Sequence, residues 1–574
     1  MTKFDITYLP TKVGEGTIEV NGYLLHSKYD PLKEAQRIVE KEIIEERAVV
    51  IFGLGKGYIL NELKKKKYNT KNLIIVEPIT EVKDVVDSQG FTIIKSTNEK
   101  EIKEAVQELL NYFNREVQVI SLPNYDKVCV EEYKQLLQIV KENQLLNVVN
   151  DNALRGQSHL WQENEIKNTL YAYCGNTLGE LEKAYEIPVI IASGGPSLIK
   201  QLPLLKEVRS KVILIAAGST IITLQNEGVI PDYIASIDGN IGNFERHFMD
   251  NNFEKAQLIY SFSNYYKIQR NFSNPSYGFV DSNLMELTEQ LNDRYGFKSL
   301  PQIEGGGSVA NYALSIARYI STGPIALIGQ DLAFTDNQTH AKHNIGALEV
   351  TKGFLEARGA IKIEGYYGDE VFADYSLISM KKSFERIIQT IENAETIFNC
   401  TEGGAKIVGM NQLSFTDFCN KYISVSTKKE IIMPLERQHD LNFLVNVYLK
   451  EIKRYKDMLI DIKTALRYLN NVKKQGYFSQ ETLGKLDKID KNIKVNLNSL
   501  LMKTIAAPLI MDIMLKYQGK NNETEKEKFE RVFSQNEELY TRLLYITEQS
   551  KNFTEEVLRE ARVRLEENKN ESNG

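Results

Sequence analysis

Histidine and cysteine are scarce in this chain, six and four in 574 residues, and tryptophan occurs once. Cys129, Cys174, Cys400 and Cys419 lie far apart, with neither the paired spacing of a zinc site nor a disulfide framework. No metal site is therefore expected, and a reducing cytoplasm is the expected location. No apolar run approaches the roughly 20 residues that cross a bilayer. The opening Met-Thr-Lys-Phe-Asp-Ile-Thr has no apolar signal-peptide core. Charge of either sign is not in large excess: 71 Lys and Arg against 77 Asp and Glu leave a net charge of −6, which removes the electrostatic case for a nucleic-acid partner. The length is too great for a single core and predicts three or four domains.

What is present is strand–helix alternation punctuated by glycine. Val189-Ile-Ile-Ala192 has the length and character of a buried parallel strand, and it breaks at Ser193-Gly194-Gly195-Pro196-Ser197. Pro196 stands where a helix begins, since its missing N–H costs nothing there. A glycine pair lets backbone amides approach a ligand, and the following helix N-terminus favours phosphate. A tight turn that binds nothing has the same signature.

The pattern recurs down the chain. Val212–Ala217 ends at Gly218-Ser219, Tyr233–Ile237 ends at Asp238-Gly239-Asn240, and Ile325–Ile328 ends at Gly329-Gln330-Asp331. Gly306-Gly307-Ser308 opens a helix with a small-residue face. These turns all fall at the carboxyl ends of strands or the amino ends of helices, the edge where open α/β sheets bind ligands. The expected fold is α/β, with a central doubly wound, Rossmann-like parallel sheet at residues 187–420. An N-terminal Rossmann-like α/β domain at 1–150 and a linking helix at 151–186 precede it. A C-terminal all-helical domain at 421–574 follows, where apolar residues recur at helical spacing and Gly and Pro are sparse. The first domain carries its own turn, Gly53-x-Gly55-x-Gly57, with Glu77 about 20 residues on. It reads either as a competing cofactor site of dinucleotide or methyltransferase type or as a plain strand–helix connection.

Several motifs together resemble the motility accessory factor (Maf) family. They are Ala192-Ser-Gly-Gly-Pro-Ser-Leu198, Asp232-Tyr-Ile-Ala-Ser-Ile-Asp238, Gly329-Gln-Asp-Leu-Ala-Phe334 followed by Thr339-His340-Ala341, and Asn399-Cys-Thr-Glu-Gly-Gly-Ala405. His26-Ser-Lys-Tyr-Asp-Pro31 is similar to that family's N-terminal domain. The resemblance implies a cytoplasmic glycosyltransferase that modifies Ser or Thr hydroxyls of flagellin. Its donor would be a CMP-activated nonulosonic acid of pseudaminic, legionaminic or sialic acid type, with no permanently bound cofactor. It also implies a central domain similar to bacterial sialyltransferases. An archaeal pterin pyrophosphokinase, using ATP and magnesium, shares the Gly-Gly-Pro-Ser and acidic-turn pattern and keeps a second chemistry open on the same fold. A non-catalytic protein that binds flagellin is a third reading.

Such a donor requires that the nucleotide be held, the leaving phosphate stabilised and the acceptor hydroxyl deprotonated. Ser193, Gly194, Gly195, Pro196 and Ser197, with Gly218 and Ser219, are the expected phosphate and ribose cradle. Gly306, Gly307 and Ser308 offer a second anion site or a plain helix cap. Asp238, Asn240, Gln330 and Asp331 are expected at adjacent strand ends, facing sugar or ribose hydroxyls. His340 is the expected base, with His343 as its alternative. Glu402 is a further acid or base, and Tyr366 and Tyr367 are possible donors to the leaving phosphate.

Overall fold

The computed structural model describes residues 4–44, 47–82, 87–112, 117–251, 253–281, 300–424, 426–434, 441–497, 503–519 and 523–571. The chain divides into two compact units, residues 1–156 and 157–574.

The first unit is built on a four-stranded parallel sheet in the order Thr92–Ile94, Leu73–Val76, Ala48–Phe52, Val117–Ser121. Ala48–Phe52 and Leu73–Val76 are buried at every position, as strands covered on both faces must be. Ile6–Pro10, Gly16–Val20 and Tyr23–Leu24 form a small antiparallel sheet.

The second unit contains the expected large parallel sheet. Its strand order is Gln302–Ile303, Ser276–Asp281, Gln257–Ser261, Tyr233–Ser236, Ile213–Ala217, Val189–Ala192, Ile325–Ile328, Ile397–Asn399, Asn411–Gln412, and every pairing is parallel. Asn176–Thr177 adds a short tenth strand beside Ser276–Asp281. Alternate residues enter different cores. Val189, Ile191, Ile213, Ile215, Ile325 and Leu327 pack beneath the helices Val309–Ile320 and Tyr375–Thr390. Ile190, Ala192, Leu214, Ala216, Ala326 and Ile328 pack beneath Leu198–Val208 and Thr220–Asn226. This period of two, with helices on both faces, is what makes the sheet doubly wound.

Topology then sets the position of the site. From Val189–Ala192 the chain adds strands outward on one side as far as Ile303. It then returns to lay Ile325–Ile328 against the other side of the same strand. The order reverses between these two strands, so a crevice opens at their carboxyl ends.

Helix Val130–Cys174 begins well before the linker expected at 151–186. The stretch holds no proline and only one glycine, Gly156, so nothing stops the helix earlier. Leu441–Gln475, Gln480–Leu497, Lys503–Lys516 and Glu525–Glu571 are the C-terminal helices, in the same compact unit as the large sheet. Tyr448, Ile452, Val557 and Leu558 share a core with Ile166 and Leu170 of the Val130–Cys174 helix. Among the described residues no helix is long and apolar enough to cross a membrane.

Candidate functional site

The glycine turn of the first unit is filled by the protein itself. Glu77, at the end of Leu73–Val76 and 2% exposed, receives N–H bonds from Leu54 at 2.8 Å, Gly55 at 2.9 Å and Ile79 at 2.8 Å, and an O–H bond from Tyr125 at 2.6 Å. Burial raises its pKa above the usual carboxyl value. His26 Nε2 accepts the Lys56 N–H at 3.0 Å, and burial, aided by the Lys56 charge, lowers the imidazole pKa to about 4. A Cβ on Gly55, which has φ +53°, would collide with that imidazole, and one on Gly53 would strike the Tyr125 ring. The amides a phosphate would take are therefore bound to Glu77.

The turn after Val189–Ala192 is organised differently. Ser193 N–H reaches Ile328 O at 3.0 Å and Gly195 N–H reaches Gly329 O at 2.8 Å, which fastens the turn to the strand across the switch point. Asp331, 2% exposed, accepts Ser197 Oγ–H at 2.6 Å and the Ser197 N–H at 3.2 Å. Its own carbonyl accepts the Ala405 N–H at 2.7 Å. Desolvation raises the Asp331 pKa against the opposing pull of Ser197. A side chain on Gly195 would collide with the Asp331 carboxylate, and one on Gly403 with Ser197 Oγ. Three turns, at Ser193–Ser197, Gly329–Asp331 and Glu402–Gly404, thus meet around one buried carboxylate.

Other polar atoms at this edge have no partner. Ser193 Oγ, Thr220 Oγ1 and Gln330 Oε1 are buried without a hydrogen bond, on residues that are 5%, 0% and 7% exposed. Buried polar atoms are paired in most native structures, so such a group at a switch point has the character of a ligand site. Gln330 N–H donates to Thr401 Oγ1 at 3.1 Å. Gly218 packs against Val309, which brings the Gly306–Ser308 helix start to the same edge. There Ser308 caps Val309–Ile320 by accepting the Asn311 N–H, and Gly306 lies tight against Ser383.

His340 is half-buried on the loop after Asp331, with Nδ1 at 3.1 Å from Thr339 Oγ1, and burial lowers its pKa below 6.5. The next residue, Ala341, donates its N–H to Gly194 O at 2.9 Å, which carries the loop over the glycine turn. His343 is exposed. Asp238 is exposed, and its carboxylate accepts the Asn240 N–H at 2.9 Å. Its turn is nevertheless firmly held: Tyr265 N–H reaches Asp238 O, and Asn164 Nδ2 reaches Gly239 O at 3.0 Å. Asn240 caps the helix Ile241–His247. Glu402 accepts the Phe415 N–H at 2.9 Å, at the start of the helix Phe415–Tyr422 that Ser414 caps. Tyr366 is buried, with its hydroxyl on Asn399 O and Leu413 O, while Tyr367 is exposed. Sequence reasoning did not single out Thr220, Thr401 or Asn344. Asn344 Nδ2 bonds Ser219 Oγ at 3.2 Å. Its one sequence signal is an amide in the same polar loop as His340.

A separate open groove of about 300 Å³ is lined by residues such as Lys183, Ile303, Arg318, Tyr319 and Ile387 and involves none of the expected site residues. Among the described residues no group of three or more His, Cys, Asp or Glu is placed to hold a metal ion.

A family model described as 6-hydroxymethylpterin diphosphokinase MptE-like matches residues 163–337, which include the glycine turn and Asp331. A Maf glycosyltransferase structure from Magnetospirillum magneticum AMB-1 superposes over 98% of this chain and 92% of its own, with a TM-score of 0.53 and 13% identity. That likeness is one of fold, and it spans both units. A protein of Treponema pallidum (strain Nichols), described as uncharacterized, is 27% identical over 210 residues, 34% of this chain and 71% of that one.

Proposed function

We propose that this chain is a glycosyltransferase that binds a CMP-activated nonulosonic acid at the switch point and passes the sugar to Ser or Thr hydroxyls of flagellin. The observation that carries the reading is the set of buried, unpartnered oxygens on Ser193, Thr220 and Gln330 at the edge where open α/β sheets bind ligands, in a chain whose fold is like that of a Maf glycosyltransferase. The donor's bond to phosphate breaks through an oxocarbenium-like state. The Ser193 and Gly195 amides are held by Ile328 O and Gly329 O, so the Gly194 amide and the Ser193 and Thr220 hydroxyls, beside the N-terminus of Leu198–Val208, would carry the growing phosphate charge. Asp331 would hold Ser197 and the three turns in register, without touching substrate.

His340 is the proton acceptor in this scheme. Burial lowers its pKa, which favours the neutral imidazole, so transfer should fall only as the pH drops below the ordinary histidine range. His340→Gln should lower the rate by ~10²–10⁴ and flatten that acid limb, as measured by a pH series. Asp238, exposed on a firmly held turn, is assigned to sugar hydroxyls.

The decisive experiment is intact-mass spectrometry of flagellin co-expressed with this chain in cells that make a CMP-nonulosonic acid, beside Asp238→Ala. Sugar-mass additions that vanish in the variant support the whole reading. Additions that survive keep the transferase and move the acid elsewhere. No addition with folded enzyme and confirmed donor ends it. The MptE-like match favours one other reading, a pterin pyrophosphokinase with ATP and magnesium. Magnesium on phosphates calls for carboxylates at the same edge, where Asp331 is engaged by Ser197 and Asp238 alone of the two is exposed.

A further inference from the structure

The bare face of Gly194 is closed by polar atoms. A Cβ built there would lie 3.1 Å from Asn344 Nδ2, 3.3 Å from Thr220 Oγ1 and 3.5 Å from Ser219 Oγ. All three are hydrogen-bonding groups, and the Thr220 hydroxyl has no partner. Asn344, 6% exposed, is the only one of the three that arrives on a loop, and it donates to Ser219 Oγ at 3.2 Å and Ser219 O at 3.4 Å, both long bonds.

That loop is internally tied. Thr339 N–H bonds Leu348 O at 3.0 Å, Leu348 N–H bonds Thr339 Oγ1 at 2.9 Å, and Gly346 N–H bonds Asn344 Oδ1 at 2.8 Å. At its base Val350 N–H bonds Asn337 O, beside the left-handed residues Asp336 and Asn337. Residues 339–349 therefore have the build of one stiff strap on a narrow base, reaching the glycine turns through Ala341 and Asn344.

We propose that Asn344 is a displaceable plug over an oxyanion subsite formed by Gly194, Ser219 and Thr220. The strap lifts to admit a phosphoryl group of a nucleotide, whose oxygens take the hydroxyls of Ser219 and Thr220. Asn344 then closes from above, its amide donating to the phosphoryl oxygen instead of to Ser219. This rests on the nucleotide-binding part of the proposed function, but the phosphoryl chemistry is common to CMP and ATP. Asn344 is a ligand-contacting residue in this scheme, and the strap is the gate.

The test uses the full-length protein, with calorimetric titration of CMP, ATP and inorganic phosphate and hydrogen–deuterium exchange of residues 339–349. CMP is expected to slow exchange of the strap. Asn344→Asp, which sets a carboxylate against the phosphoryl group, is expected to weaken CMP binding at least tenfold. Glu349→Gln, a charge change on the same strap, should leave it within twofold. If Asn344→Asp does not fold, Asn344→Ser decides, since it loses the reach to Ser219 while staying neutral. Binding of ATP but not CMP, with the same dependence on Asn344, would uphold the subsite and end the CMP-donor reading. A folded Asn344 variant that binds like wild type, or strap exchange unmoved by all three ligands, overturns the proposal.

Discussion

The Gly53–Gly57 turn and the Ser193–Ser197 turn look alike in sequence and differ in what occupies them. Each follows a fully buried parallel strand and leads into a helix. In the first, a carboxylate from the neighbouring strand end takes the amides of Leu54 and Gly55, and also the Ile79 N–H and the Tyr125 hydroxyl, through four bonds of 2.6–2.9 Å. In the second, the buried Asp331 carboxylate takes Ser197 at the helix start, while over Gly194 lies the neutral amide of Asn344, which donates to Ser219 through two bonds of 3.2–3.4 Å. Hydrogen bonds to charged groups are worth ~1.5–3 kcal/mol and neutral ones ~1 kcal/mol, so the Glu77 filling is held more tightly than the Asn344 one. A glycine signature therefore reports that something approaches the backbone, without saying whether it is ligand or protein.

The comparison is broken most directly at Glu77. Glu77→Ala orphans three buried N–H groups and should cost the first unit at least ~3 kcal/mol, read from urea unfolding; a change below ~1 kcal/mol would mean the turn does not depend on this carboxylate. Next is the pH dependence of His26. Its pKa falls from 6.5 to about 4 on folding, so its contribution, ~3 kcal/mol, is present above pH 6.5 and is lost as pH falls towards 4. Glu77, with a raised pKa, acts in the opposite sense, its contribution being present at low pH and lost as pH rises through the raised value. The quantity to measure is therefore the difference between wild type and His26→Gln, a variant that has no such titration. A flat difference between pH 7 and 4 would contradict a buried neutral imidazole. The smallest effect belongs to the second turn. Gly194 is not left-handed and a Cβ there meets nothing closer than 3.1 Å, so Gly194→Ala should change stability by less than ~1 kcal/mol. It should nevertheless weaken CMP binding by calorimetry, because the new methyl group stands between Thr220 and Asn344. A large loss of stability would show the turn to be as tightly filled as its counterpart.

Much of the fold was legible because its signals are local. Val189–Ala192 and Ile325–Ile328 are short apolar runs ended by glycine, and both appear with the expected bounds. Glycine turns after successive strands placed the crevice at the carboxyl edge, and the reversal of strand order places it between these two strands. The direction a polar side chain faces was not legible. Asp238 and Asp331 read alike as acids after strands, yet one is exposed and the other is enclosed by turns from residues 193–197 and 402–404. That distinction depends on contacts across more than 130 positions, which no local pattern carries. Asn344 escaped for the same reason: its importance comes from Gly194 and Ser219, both distant in sequence.

The reversal of strand order also has a consequence in time. Val189–Ala192 pairs on one side with a strand that follows about 20 residues later, and on the other with Ile325–Ile328, about 130 residues further along. At a synthesis rate of ~5–20 residues per second, the second neighbour emerges roughly 7 to 26 s after the first strand. Through that interval the nascent sheet would carry an open apolar edge at its future centre, closed only when Ile325–Ile328 has been made and before Ile397–Asn399 and Asn411–Gln412 extend the sheet further.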